Sequence, residues 1–267
     1  MYARPTAPLT IGGVVDDAIK LYRESFRACW PLALLASLVI GSFGIALTFY
    51  ARTSGTGIAG FAAAMALYRQ PPVLAFYVLQ MVLSLAFYGA LIASQDAVAN
   101  GAVPLSTGEA LGVGFTRLGR GVMAAILCWV VITVGLVLLI IPGLYFMVVL
   151  CLWLVALYAD DAGAMESLQV SRELARGYWW RTATILSVAF IIILVFSMVV
   201  TFVAGALAAV AVASHDLSSI QITIQVVSMV ANVFILPMVP AVLIAIYHDL
   251  KLRREGGDLA ARVGALP

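Results

Sequence analysis

Long apolar runs alternate along this chain with shorter stretches in which charged residues recur at helical spacing. A helix rises about 1.5 Å per residue and bilayer hydrocarbon is about 30 Å thick, so roughly 20 apolar residues make one crossing. That ruler predicts spans at about 30–50, 73–94, 121–141, 143–158, 181–206 and 220–247. The third and fourth come from one charge-free run, 121–158. As a single helix it would reach about 57 Å, nearly twice the hydrocarbon thickness, so it must fold back. Pro142 and Gly143 supply the expected hairpin turn, because proline cannot continue the preceding ladder and glycine tolerates turn geometry. The runs are apolar on every side, whereas barrel strands alternate. The chain therefore reads as one all-α membrane domain, 1–267, a polytopic bundle of about six spans.

Three polar stretches, 10–27, 106–120 and 163–176, read as amphipathic helices lying in the membrane surface. In the first, Ile11, Val14, Val15, Ala18 and Tyr22 form a stripe opposite Asp16, Asp17, Lys20, Arg23 and Glu24. The second opens with a capping box, Ser106-Thr107-Gly108-Glu109. In the third, Glu166, Gln169, Arg172, Glu173 and Arg176 share one face, with Leu168, Ser171, Leu174 and Ala175 opposite and Gly177 placed as C-cap. Tyr178, Trp179 and Trp180 follow at the depth expected of interfacial anchors. An interfacial helix leading into two spans thus occurs three times, which suggests a threefold internal repeat. Pro237 and Pro240 predict a kink in the last span.

Composition sharpens this picture. Apolar residues make up 64% of the chain and charged residues only 10%, too few to cover a water-facing surface. A net charge of +2 gives no reason to expect nucleic acid as a partner. With the N-terminus inside, thirteen of the fifteen Lys and Arg fall on the inner side, leaving Arg52 and Arg69 outside. That positive-inside bias predicts that both termini are cytoplasmic. No cleavable signal peptide is visible before the first span, since acidic and basic residues precede it. Cys29, Cys128 and Cys151 lie in or beside apolar segments without a CxxC pattern, and read as buried free thiols.

Leu9-Thr10-Ile11-Gly12 leading to Leu21-Tyr22-Arg23, the Ile141-Pro142-Gly143 turn, and Glu166-Ser167-Leu168-Gln169-Val170-Ser171-Arg172 ending in Gly177-Tyr178-Trp179-Trp180 resemble a bacterial family of six-span membrane proteins. Its relatives include the membrane domain fused to some glycerophosphodiester phosphodiesterases. The resemblance covers nearly the whole chain and implies an inner-membrane location and a bundle with cytoplasmic interfacial helices. It supplies no agreed activity. No soluble catalytic domain accompanies these motifs here, so phosphodiesterase chemistry is not carried over.

Enzymatic chemistry needs a nucleophile, a base and an electrostatic anchor brought together. The two histidines, His215 beside Asp216 and His248 beside Asp249, are expected on opposite membrane faces. Asp160-Asp161 reads as a cap for the next helix in preference to a cation site. The sequence thus predicts no catalytic residue, metal or cofactor. Within spans, Gln80, Gln225 and Asn232 either bond between helices or line a solute pathway. Small residues at Ser37/Gly41 and Gly205/Ala209/Ala213 allow close helix approach, inside the bundle or between protomers of a homo-oligomer. The expected function is non-enzymatic: a scaffold, a protein's partner or an organiser of membrane lipids, acting through the face of Glu166, Arg172, Glu173 and Arg176. The alternative is a channel or carrier for a small solute.

Overall fold

A computed structural model of the chain describes residues 2–53, 66, 69–211 and 217–264. It is helical, with no strand among the described residues. The helices are α1 (Ile11–Thr53), α2 (Pro71–Ala99), α3 (Thr107–Thr116), α4 (Leu118–Leu138), α5 (Ile140–Val149), α6 (Trp153–Tyr158), α7 (Ala164–Ala175), α8 (Trp179–Ala211), α9 (Leu217–Ile235) and α10 (Met238–Gly264). Six helical stretches are long and apolar enough to cross a membrane. The chain is a multi-pass membrane protein. The outer connection expected near His215 lies outside the described residues, as does Ala213 of the small-residue series.

The first amphipathic segment differs from expectation. Stretches 10–27 and 30–50 form one helix, α1, with Pro31 inside it. The reason is a stripe that never breaks: Val14, Ala18, Leu21, Ser25, Cys29, Leu32 and Ala36 are all buried at spacings of three or four. The stripe faces α2, α9 and α10, so α1 runs through the centre of the bundle. The second stretch, 106–120, opens as expected, with Ser106 and Glu109 exchanging side-chain and backbone bonds in a capping box before α3, but the helix ends at Thr116 and residues 118–120 belong to α4. Only Arg117 separates α3 from α4. The third is α7, ended by Gly177 at φ 86° as predicted. The three would-be repeat units therefore join their amphipathic segment to the following span in three different ways.

The hairpin turn also moves. Leu139 alone, extended at φ −159° and ψ 138°, connects α4 to α5, and Pro142 and Gly143 lie in the first turn of α5. Proline fits there because the first N–H groups of a helix have no intrahelical acceptor anyway. Gly143 serves close approach: a Cβ on it would lie 2.4 Å from Leu136 Cγ, and one on Gly135 would lie 3.0 Å from the Gly143 Cα.

Two apolar stretches are interrupted. The fourth breaks at Leu150–152 between α5 and α6, where no proline or glycine announces it. Cys151 and Trp153 bond back only to the third residue before them. The last breaks at Leu236-Pro237, so the expected kink is a full interruption, and Pro240 falls in the first turn of α10. The larger core gathers Val14, Ala18 and Leu21 of α1, all of α6 except Leu154, the apolar face of α7, and residues 241–247 of α10. It lies where the charged residues of α1, α7 and α10 also collect. We call this the charged end of the bundle.

Candidate functional site

At the charged end, α10 presents Tyr247, His248, Asp249, Lys251, Arg253 and Arg254 over two turns, so they reach several neighbours at once. Asp249 is 4% exposed and accepts from the Leu9 N–H at 2.9 Å, Arg181 Nε at 3.0 Å and Arg253 Nε at 3.0 Å. The Leu9 carbonyl in turn accepts from Nη2 of Arg181 at 2.6 Å and of Arg253 at 2.5 Å. One peptide ahead of α1 is thereby clamped to α8 and α10. Removing this buried carboxylate would leave both guanidiniums without their counter-charge, whereas losing one guanidinium leaves Asp249 paired with the other.

A second cluster flanks the first. Asp160 accepts from Tyr247 Oη at 2.6 Å and Lys251 Nζ at 2.9 Å. Burial alone would raise the Asp160 carboxyl, but those two donors hold it below its ordinary value. Asp161, at φ 57°, receives Arg120 Nη2 at 2.7 Å and Arg117 Nε at 3.0 Å. The Arg120 bond, then the Arg117 charge, lowers its carboxyl. The expectation that this pair caps the next helix is corrected: α7 is capped at Gly163, whose N–H bonds Glu166 at 3.0 Å. A third group joins His248 Nε2 to Asp96 Oδ1 at 3.6 Å, and Asp96 also accepts from Asn100. Tyr2 donates to the buried Asp17 at 2.9 Å, and burial followed by that bond raises the Tyr2 phenol.

The fold thus gathers acids and one histidine that are far apart along the chain. Their chemistry is that of fastening. Each Asp249 oxygen already accepts a hydrogen bond, and the carboxylate is paired with two guanidiniums. Among the described residues, no three of His, Cys, Asp and Glu are grouped to hold a metal ion.

The interaction face predicted on α7 is left open. Glu166, Arg172, Glu173 and Arg176 are exposed, while Ser167, Leu168, Ser171, Leu174 and Ala175 are buried. Arg254 reaches this helix only through the carbonyls of Glu173 and Arg176. Of the anchors, Tyr178 lies under Arg253, Trp179 stacks on Tyr145 and bonds its carbonyl at 3.3 Å, and Trp180 is 79% exposed. The pathway residues are distributed over two helices: Gln80 on α2, Gln225 and Asn232 on α9, both helices packing chiefly along α1. Gln225 Nε2 bonds the Gly41 carbonyl at 3.4 Å, a helix-to-helix use of its amide.

Three side chains seal the interrupted helices, a role the sequence reading gave to none of them. Ser171 Oγ donates to the Val149 carbonyl at 2.8 Å and accepts from the Leu152 N–H at 3.1 Å. Gln95, fully buried, donates to the Pro237 carbonyl at 2.7 Å, and Tyr22 Oη donates to the Phe234 carbonyl at 3.1 Å. A serine on the apolar stripe of α7, and a glutamine near the end of the second apolar run, were the available signals.

No curated protein and no solved structure matches the chain. A family model described as a domain of unknown function, DUF7847, matches residues 97–250 and so takes in α3 to α9, the hairpin, both interruptions and Asp249. With more than half of its length matched, the chain belongs to the DUF7847 family.

Proposed function

We infer that this protein is a non-enzymatic scaffold of the bacterial inner membrane, with both termini cytoplasmic, acting through the exposed face of α7. The observation that carries the reading is a division among cations. Arg117, Arg120, Arg181, Lys251 and Arg253 are all spent on internal ion pairs, whereas Arg172 and Arg176 are exposed and form none among the described residues. Exposed charge on a helix whose other face is locked into the core is available to a protein partner or to lipid headgroups. The thirteen-to-two distribution of Lys and Arg supports the orientation. Kinship with the membrane domain of glycerophosphodiester phosphodiesterases belongs to the same proposal, without their activity. The transport alternative draws less support, since Gln225 bonds to the backbone of α1.

The test is charge reversal on that face. Arg172→Glu with Arg176→Glu should cut recovery of co-purifying inner-membrane proteins, or of bound anionic lipid, several-fold in mild detergent, with unfolding of the bundle unchanged. Identical recovery of both from the variant would refute the scaffold reading.

A further inference from the structure

The α4–α5 hairpin combines an apolar turn with an unexpected position. From Val134 to Leu144 no side chain carries a polar atom. The turn is also the most exposed part of the hairpin: Val137 is 80% exposed, Leu139 68% and Ile141 80%. The other two connections expected at the far side carry charged residues, Arg52 and Arg69 in one and Asp216 in the other, and the hairpin turn carries none. A turn made for an aqueous face would resemble those two.

The base of the hairpin and, through Tyr145, its returning limb are both tied to the charged end. The base is fixed by Arg117 and Arg120 to Asp161, while the adjacent Asp160 holds Tyr247 and Lys251. Beyond them, Tyr145 of α5 is bound to Trp179, the first residue of α8. Two residues on, Arg181 is clamped to Asp249, within one turn of Lys251. From Tyr145 the six residues back to Leu139 add only about 9 Å of helix, against about 30 Å of hydrocarbon. From the same level α8 continues for 33 residues, about 50 Å if straight, away from the charged end. The hairpin turn therefore cannot keep pace with α8.

We propose that the α4–α5 hairpin does not cross the bilayer but lies as a wedge among the acyl chains of the leaflet next to the charged end. Each limb is long enough to span, but the Tyr145–Trp179 contact keeps the turn close to the level at which α8 begins. The backbone suits this setting. The Leu139 N–H bonds the Gly135 carbonyl at 3.1 Å, and Pro142 removes one of the orphan donors that begin α5. Two donors that would otherwise be bare at the turn are thereby removed, the direction that hydrocarbon favours. Because two limbs turn back together, the sidedness of every other segment is unaffected. The wedge occupies volume in one leaflet alone.

The test uses the full chain, with its three cysteines replaced by alanine, in phosphatidylethanolamine–phosphatidylglycerol vesicles. Nitroxides are placed at Leu139→Cys, or at Val137→Cys should the first variant fold poorly, and paired with Trp180→Cys or Ser214→Cys. A wedge gives high oxygen and low nickel-chelate accessibility at position 139, and a shorter spin–spin distance to 180 than to 214. A turn reached by the chelate, with 214 the nearer partner, overturns the proposal in favour of a crossing hairpin. Low oxygen accessibility with spin coupling in singly labelled protein overturns it in favour of a second copy covering the turn.

Discussion

The two interruptions, at Leu150–152 and at Leu236-Pro237, expose different backbone groups and are closed by different chemistry. At Pro237 the chain has no N–H to satisfy, so the break presents carbonyls, and two donors, Gln95 and Tyr22, close it. At Leu150–152 every residue keeps its N–H, so both a donor and an acceptor are bare. A single hydroxyl, Ser171, answers both. Proline makes its break one-sided, and a break without proline needs an amphoteric partner. Each seal also joins segments distant in sequence, Ser171 tying α7 to α5 and α6, Gln95 tying α2 to the start of α10.

The largest effect should follow from removing the two-way seal. Ser171→Ala leaves one buried donor and one buried acceptor bare and should cost about 3 kcal/mol, measured by denaturant titration in mixed micelles. Ser171→Thr, which keeps the hydroxyl, should recover much of it, and equal losses for both variants would mean that packing and not bonding holds the break. Gln95→Met should cost less, about 1 kcal/mol. It leaves the Pro237 carbonyl with only the longer bond from the Ala241 N–H, at 3.4 Å, and also removes the Gln95 Oε1, itself buried without a partner. If the glutamine variant proves the weaker of the two, the one-sided account of the proline break fails.

The smallest effect is one of pH. The Asp161 carboxyl is held low by Arg120 and then Arg117, so its contribution is complete above the ordinary aspartate value near about 4 and is lost as pH falls through its lower folded value. Asp161 fastens the N-terminal end of α4 just beyond α6. Acidification should therefore speed amide hydrogen exchange at 149–153 before it does so at 234–238, and Asp161→Asn should erase that ordering. Simultaneous loss of protection at both breaks would show that Asp161 supports the whole bundle.

Much of the architecture was readable from residues alone because membrane physics leaves few options. Hydrocarbon thickness fixes span length, and unsatisfied backbone forbids anything but helix in such apolar runs. Pro237 announced its own break, and Ser106 with Glu109 announced the start of α3. Even the continuity of α1 was written in the spacing of Ser25 and Cys29 between its two halves, although charge on the opposite face suggested a boundary. The break at Leu150–152 had no such signal, because the residue that stabilises it lies some twenty positions later. The Asp249 clamp was equally hidden, since Leu9 contributes only peptide atoms that any residue could offer.

The sequence by itself determined that this is a helical, multi-pass membrane protein, because apolar length and charge scarcity act locally and need no partner to be read. Tertiary structure alone decided which charges are consumed in fastening, where broken helices are tolerated and how far the α4–α5 hairpin reaches. Those outcomes depend on what stands beside each group once the helices pack, and a buried polar group takes its energy from that neighbour and not from its place in the chain.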